Sequence, residues 1–328
     1  MGRPRDASPT VLERAGTAAA GIGAPGTGRS RARAVLQWGI VVLIFGFLLG
    51  FLATQWSKLP DFDWRFEPGW LAAATVAVAL FYLGQNEIWR LIVHALGEEI
   101  EARAARAVWG KSLLARYVPT NVLLVVGRVV LAERHGVKRR VTLASVVYEV
   151  GIGFGTAVMA GAYFAIQLPA LEDQPARYAV LVLIPIVLTV LHPRVFAPAA
   201  NFGLEKLGRE PLPQVLAFSR VLLFAGLFLL TWAAIGFGLF AFAASLHPLS
   251  IGDLPYVAAA YPVGFCVAVL TFVVPGGLGT RDATLATALT AVLATTVATA
   301  IAVAFRIFQT MVELLYVAVV AGLARARD

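Results

Sequence analysis

Charge is what this chain has least of. Asp, Glu, Lys and Arg make up 14% of its 328 residues, against about 25% in ordinary soluble domains, while 59% are hydrophobic. A soluble core cannot absorb that surplus, which excludes a water-soluble globular enzyme. Cysteine is almost absent too. The one present, Cys266, lies in an apolar stretch, cannot form an intrachain disulfide and reads as a small packed residue. The four histidines, His94, His135, His192 and His247, are scattered without metal-ligand spacing, so no zinc site is expected. They also show no Ser/His/Asp or Cys/His arrangement. Gly151, Gly153 and Gly155 imitate part of a dinucleotide fingerprint, but no strand precedes them and close helix packing explains them. Asp61-Phe62-Asp63 imitates a glycosyltransferase metal motif in a loop too short to belong to an α/β domain. No cofactor is expected. The formal net charge of +8 comes from Lys and Arg crowded into particular loops, which in a membrane protein reports orientation and lipid contact, with no nucleic-acid partner implied.

What is present in quantity is long apolar runs. They fall at residues 34–54, 68–96, 141–166, 178–192, 215–246, 256–274, 284–296 and 297–323. The first reaches about 30 Å as a helix, enough for the hydrocarbon core, and is too long for a signal-peptide core. The fold class expected is all-α: a polytopic integral membrane protein of about eight transmembrane helices. One transmembrane domain spans residues 34–323, after a tail at 1–33 that is too poor in apolar residues to order itself, and before a short C-terminus at 324–328. Basic residues crowd the tail and the stretch from Arg103 to Arg140, whereas Asp61, Asp63, Glu67, Glu172, Asp173 and Asp253 occupy the alternate loops. The asymmetry puts both termini in the cytoplasm and the chain in the cytoplasmic membrane.

Two places do not read as simple spans. Residues 113–130 are apolar but broken by Pro119, and residues 273–283 place Pro275 with Gly276, Gly277 and Gly279 between apolar runs. Both are expected to be re-entrant, because irregular backbone at membrane depth is tolerated only where protein or a water-filled cavity satisfies it. Each break is followed by an arginine, Arg128 or Arg281. Paired breaks of this kind point to a substrate site at a repeat interface; two unrelated helix breaks would look the same.

Charges inside apolar spans cost about 2.5–3.5 kcal/mol each on insertion scales, so each needs a partner, a cavity or an interface. Glu87 and Arg90, at i, i+3, can pair on one helix face. Glu149 lies well inside its span. In the last helix Arg306, Gln309 and Glu313 share one face, with Arg306 and Glu313 about 10 Å apart along the axis. These charges therefore need third parties. Either they form structural ion pairs among Glu149, Arg281 and Asp282, or they line a polar cavity for a charged headgroup.

With those residues in view, the chain resembles the transmembrane region of lysylphosphatidylglycerol synthases and the wider flippase-like family. Leu114-Ala115-Arg116-Tyr117-Val118-Pro119, then Gly127-Arg128 and Arg134-His135-Gly136-Val137, look like the family's Arg-Tyr-apolar-Pro-Gly stretch with its downstream Gly-Arg and Arg-x-Gly. Pro275-Gly276-Gly277-Leu278-Gly279-Thr280-Arg281-Asp282-Ala283 is similar to its Pro-Gly-Gly-Leu-Gly-x-Arg-Glu-Ala signature. Thr120 stands for the usual glycine and Asp282 for the usual glutamate. The chain ends at Asp328 without the soluble aminoacyltransferase domain of the synthases, so it is read as a standalone member. The resemblance implies movement of a lipid headgroup between leaflets, with membrane lipids as partners. Arg128, Arg281 and Arg306, with Glu149, Asp282 and Glu313, would then converge on one headgroup cavity open to the cytoplasmic leaflet. Tyr117, Pro119, Pro275, Gly276, Gly277 and Gly279 would form its structural motifs. Family members named for glycosyltransferases imply the alternative: an enzyme, or a partner of a glycosyltransferase or lipid synthase, in cell-envelope glycolipid synthesis.

Overall fold

Proline opens the first described helix of the computed structural model, which describes residues 66–114, 121–166, 174–206, 208, 210–270 and 280–325. Helix α1 (Pro68–Ala95) begins where a missing N–H costs nothing. Its buried positions, among them Ala74, Val78, Tyr82, Asn86, Trp89 and Val93, advance by three and four along one face. It stops at Gly97, whose φ of 85° only glycine adopts cheaply, with Glu98 N–H donating back to the Val93 carbonyl. Helices α2 (Ala102–Leu113) and α3 (Asn121–Glu133) follow, and Gly136 at φ 83° ends α3 in the same way before α4 (Arg139–Ile166).

A 3-10 turn at Pro175–Val182 leads into α5 (Leu183–Leu191), and α6 (Pro193–Lys206) leaves it at 69°. His192 is extended at the bend, the conformation that the following proline imposes. Then come α7 (Phe218–Leu246), α8 (Leu254–Leu270), α9 (Thr280–Leu289) and α10 (Thr295–Arg325). The described residues are all helical or irregular, without strands. Helix α7 is the centre: from Gly238 to Leu246 every residue is buried, as a helix that is apolar all round must be. Helices α1, α4, α8 and α10 pack around it. Their outer faces expose large apolar side chains such as Val76, Leu80, Leu230, Leu315 and Val319, which belongs with lipid as the solvent.

Among the described residues five helices are long and apolar enough to cross a membrane, α8 together with the turn that begins at Ile251, and six if the bent pair α5–α6 with its leading turn forms one span. The expected span at 34–54 lies outside the described residues. The expected separate span at 284–296 is corrected: α9 ends at Leu289, and Thr290, Ala291 and Val292 donate three residues back in tight turns. Ten helical residues reach about 15 Å, half the hydrocarbon core. Of the two expected re-entrant breaks, residues 115–120 and 271–279 lie outside the described residues, and with them Tyr117, Pro119, Pro275, Gly276, Gly277 and Gly279.

Candidate functional site

Four helices supply the surroundings of Arg128, which is 2% exposed. From α3 its Nη1 pairs with Glu149 Oε2 on α4, and its Nε donates to Ser112 Oγ on α2 at 3.2 Å. The second Glu149 oxygen accepts from Trp109 Nε1 at 3.1 Å. The guanidinium also lies over two indole rings, 5.5 Å from the Trp89 centroid and 5.7 Å from that of Trp109. Trp89 is itself fixed by donating from Nε1 to Ser145 Oγ at 2.9 Å. A buried cation needs such company: leaving it unpaired would cost several kcal/mol, about 3–5 by analogy with broken buried pairs, and a desolvated ring contact can return about 2 kcal/mol or more.

A second network forms where α8, α9 and α10 meet α1. Arg281 Nη1 donates to Tyr261 Oη at 3.0 Å and Nη2 to Gln309 Oε1 at 2.8 Å. Gln309 Nε2 passes the chain on to Tyr261 Oη at 2.7 Å and Tyr82 Oη at 3.2 Å, and Tyr82 Oη donates to Glu313 Oε2 at 2.7 Å. The guanidinium sits 5.0 Å from the Tyr261 ring centroid. Space for it comes from Gly264, where a β-carbon would stand 3.1 Å from Arg281 Cγ. Tyr256 Oη donates to the Ala288 carbonyl at 2.7 Å and fastens α9 to α8. Asp282 and Arg306 are buried beside this network, one residue from Arg281 and one turn from Gln309.

The structure thus brings the expected residues together in two groups: Arg128 with Glu149, and Arg281 with Glu313 through Gln309 and Tyr82. An aromatic wall joins them, since Tyr316 stacks on Tyr82 at 5.8 Å and meets Trp109 edge-on at 6.3 Å. Glu87 and Arg90 pair as their spacing implies, at 2.7 Å, and Arg106 of α2 adds a second partner at 3.0 Å. Sequence reasoning missed Tyr82, Tyr261, Trp89 and Trp109. For α1 a signal existed, because Tyr82, Asn86 and Trp89 repeat at i, i+4 and i+7, in line with the polar pair Gln85-Asn86. For Tyr261 and Trp109 the contacts are made across helices and no local spacing marks them.

Chemically, both arginines are held by groups that another acceptor could replace. A carboxylate, an amide oxygen and a tyrosine hydroxyl accept the same N–H donors that a phosphate would. Among known proteins, no curated protein matches the chain, and no solved structure does. A family model described as the lysylphosphatidylglycerol synthase TM region matches residues 35–316, and the chain, an integral membrane protein, belongs to that family, which is related to lipid modification or translocation.

Proposed function

We propose that this protein is a lipid translocase: it moves a phospholipid or lipid-linked headgroup between leaflets, with Arg128 and Arg281 receiving the phosphate. Glu149 and Glu313 would face a cationic or hydroxylated part of the head, and Arg306 and Asp282 would balance the charge at depth. The observation that carries the reading is the burial of two guanidiniums in apolar helices, each against exchangeable acceptors rather than against hydrocarbon. Three positive and three negative groups nearly cancel, which lowers the cost of keeping them there. The reading includes a place in the cytoplasmic membrane with both termini inside, the two proline breaks re-entrant and the headgroup cavity open to the cytoplasmic leaflet. No nucleotide-binding motif occurs in the sequence, so movement would be passive or driven by an ion gradient.

The test is reconstitution. Proteoliposomes of the purified chain, carrying lipids labelled on the head in one leaflet, should exchange them across the bilayer faster than protein-free vesicles. Equal rates for every phospholipid class tried, together with consumption of a nucleotide sugar by the same preparation, would replace translocation by the glycolipid-synthesis alternative.

A further inference from the structure

Three consecutive basic residues, Lys138, Arg139 and Arg140, precede the apolar body of α4, and the fold treats them differently. Lys138 pairs with Glu98 at 2.7 Å and Arg139 with Glu133 at 2.8 Å. Arg140 is exposed and makes no ion pair or hydrogen bond among the described residues. It lines a cavity of about 290 Å³ between the start of α4, the end of α6 and the segment that follows α6. Arg139, Leu143, Leu204, Glu210 and Pro211 complete the part of the wall that matters here. That volume falls just under the range of drug-sized ligand sites, roughly 300–1,000 Å³, and suits a headgroup rather than a whole lipid.

The cavity is built rather than incidental. Its outer wall, the stretch before α7, is pinned twice: Leu212 N–H donates to Asn201 Oδ1 at 2.8 Å, and Leu216 N–H to Tyr148 Oη on α4 at 3.1 Å. Leu212 and Leu216 are buried beneath it, and Pro211 and Pro213 fix its backbone. Its depth is set by the sequence. The apolar run of α4 begins at Val141, so Arg140 stands at the edge of the hydrocarbon slab, at the level of lipid headgroups. Val195, Phe202 and Val215 on the flanking elements are exposed apolar side chains, as a surface next to lipid would carry.

We propose that this cavity binds the headgroup of a phospholipid carrying both a phosphate and an ammonium group, the phosphate on Arg140 and the ammonium on Glu210. Arg140 offers the planar fork that suits phosphate oxygens, and Arg139 adds its field. Glu210 makes no ion pair among the described residues and disfavours a head that is only anionic. The apolar walls of Leu143, Leu204 and Pro211 suit the glycerol end. This site is separate from the buried arginines and does not depend on the transport reading.

Native mass spectrometry of the full chain, with phosphatidylethanolamine or phosphatidylglycerol added, tests it. Wild type should retain phosphatidylethanolamine in preference. Arg140→Gln should lower that retention roughly tenfold, the scale of one charged hydrogen-bonded contact, and should melt as wild type does because Arg140 holds nothing in the fold. Leu143→Trp, which fills the cavity and keeps the charges, should lower retention of both lipids. Glu210→Gln should abolish the preference between them. Arg134→Gln, an exposed arginine outside the cavity, should change nothing. The proposal is overturned if Arg140→Gln matches Arg134→Gln, if the preference survives Glu210→Gln, or if millimolar inorganic phosphate displaces the lipid, which would make this a soluble-anion site.

Discussion

Glu149 uses both oxygens, one on Arg128 and one on Trp109, and the two contacts differ in what their loss should cost. Glu149→Gln keeps the shape but withdraws the charge opposite a guanidinium that is 2% exposed. Breaking a buried ion pair from one side costs about 3–5 kcal/mol, so this variant should be strongly destabilised in thermal or denaturant unfolding in detergent. Trp109→Phe keeps a ring beneath Arg128 but removes the Nε1 donor and part of a buried indole, which should cost about 1–3 kcal/mol. If the two variants unfold alike, the ion pair is not what holds Arg128. At this scale the sequence was half legible. Arg128, Glu149, Arg281, Arg306 and Glu313 announce themselves because charge in an apolar run is expensive. Their partners do not: Arg128 and Glu149 are 21 residues apart on different helices, and Tyr82 reaches Glu313 from 231 residues away. Aromatic residues in apolar runs are ordinary lining by composition, so the hydroxyl of Tyr261 gave no warning, and that of Tyr82 only the spacing it shares with Asn86 and Trp89.

Between helices, small residues decide how closely backbones approach. A β-carbon at Gly236 on α7 would stand 2.4 Å from the Ala258 carbonyl oxygen on α8, with backbone rather than a movable side chain in the way. Gly236→Ala should therefore force the two helices apart and cost about 1–3 kcal/mol, whereas Gly226→Ala on the same helix meets nothing within 4 Å and should be neutral or slightly stabilising. A melting curve for each variant checks this, and equal stability would contradict the packing. The triplet Gly151, Gly153 and Gly155 serves the same purpose, with added β-carbons coming to 2.5 Å from Phe196, 3.3 Å from Phe228 and 3.0 Å from Val187. The elements themselves were largely legible from apolar runs and prolines; the bend at His192 follows from Pro193. The end of α9 at Leu289 was not legible, because apolar residues continue through Ala291, Val292 and Leu293 and no proline or glycine marks the break.

For the molecule as a whole, the proposed orientation, with both termini inside, is one that solution chemistry can test. In a Cys266→Ala background, single cysteines at Asp61 and Asp173 should react with an impermeant reagent added outside intact cells, and a cysteine at Arg139 should not. Reaction at Arg139 would invert the topology. Membership of the lysylphosphatidylglycerol synthase transmembrane family was legible in two short motifs, Leu114 to Pro119 with its downstream Gly127-Arg128, and Pro275 to Ala283. The central claim is that Arg128 and Arg281 hold a lipid phosphate, and the most direct measurement is leaflet exchange in proteoliposomes by Arg128→Lys and Arg281→Lys protein shown to melt as a folded species. Lysine keeps the charge and loses the planar fork. The account predicts exchange slowed by roughly tenfold or more in each variant, the scale of one charged hydrogen bond, with the protein still folded. Wild-type exchange in both would contradict it.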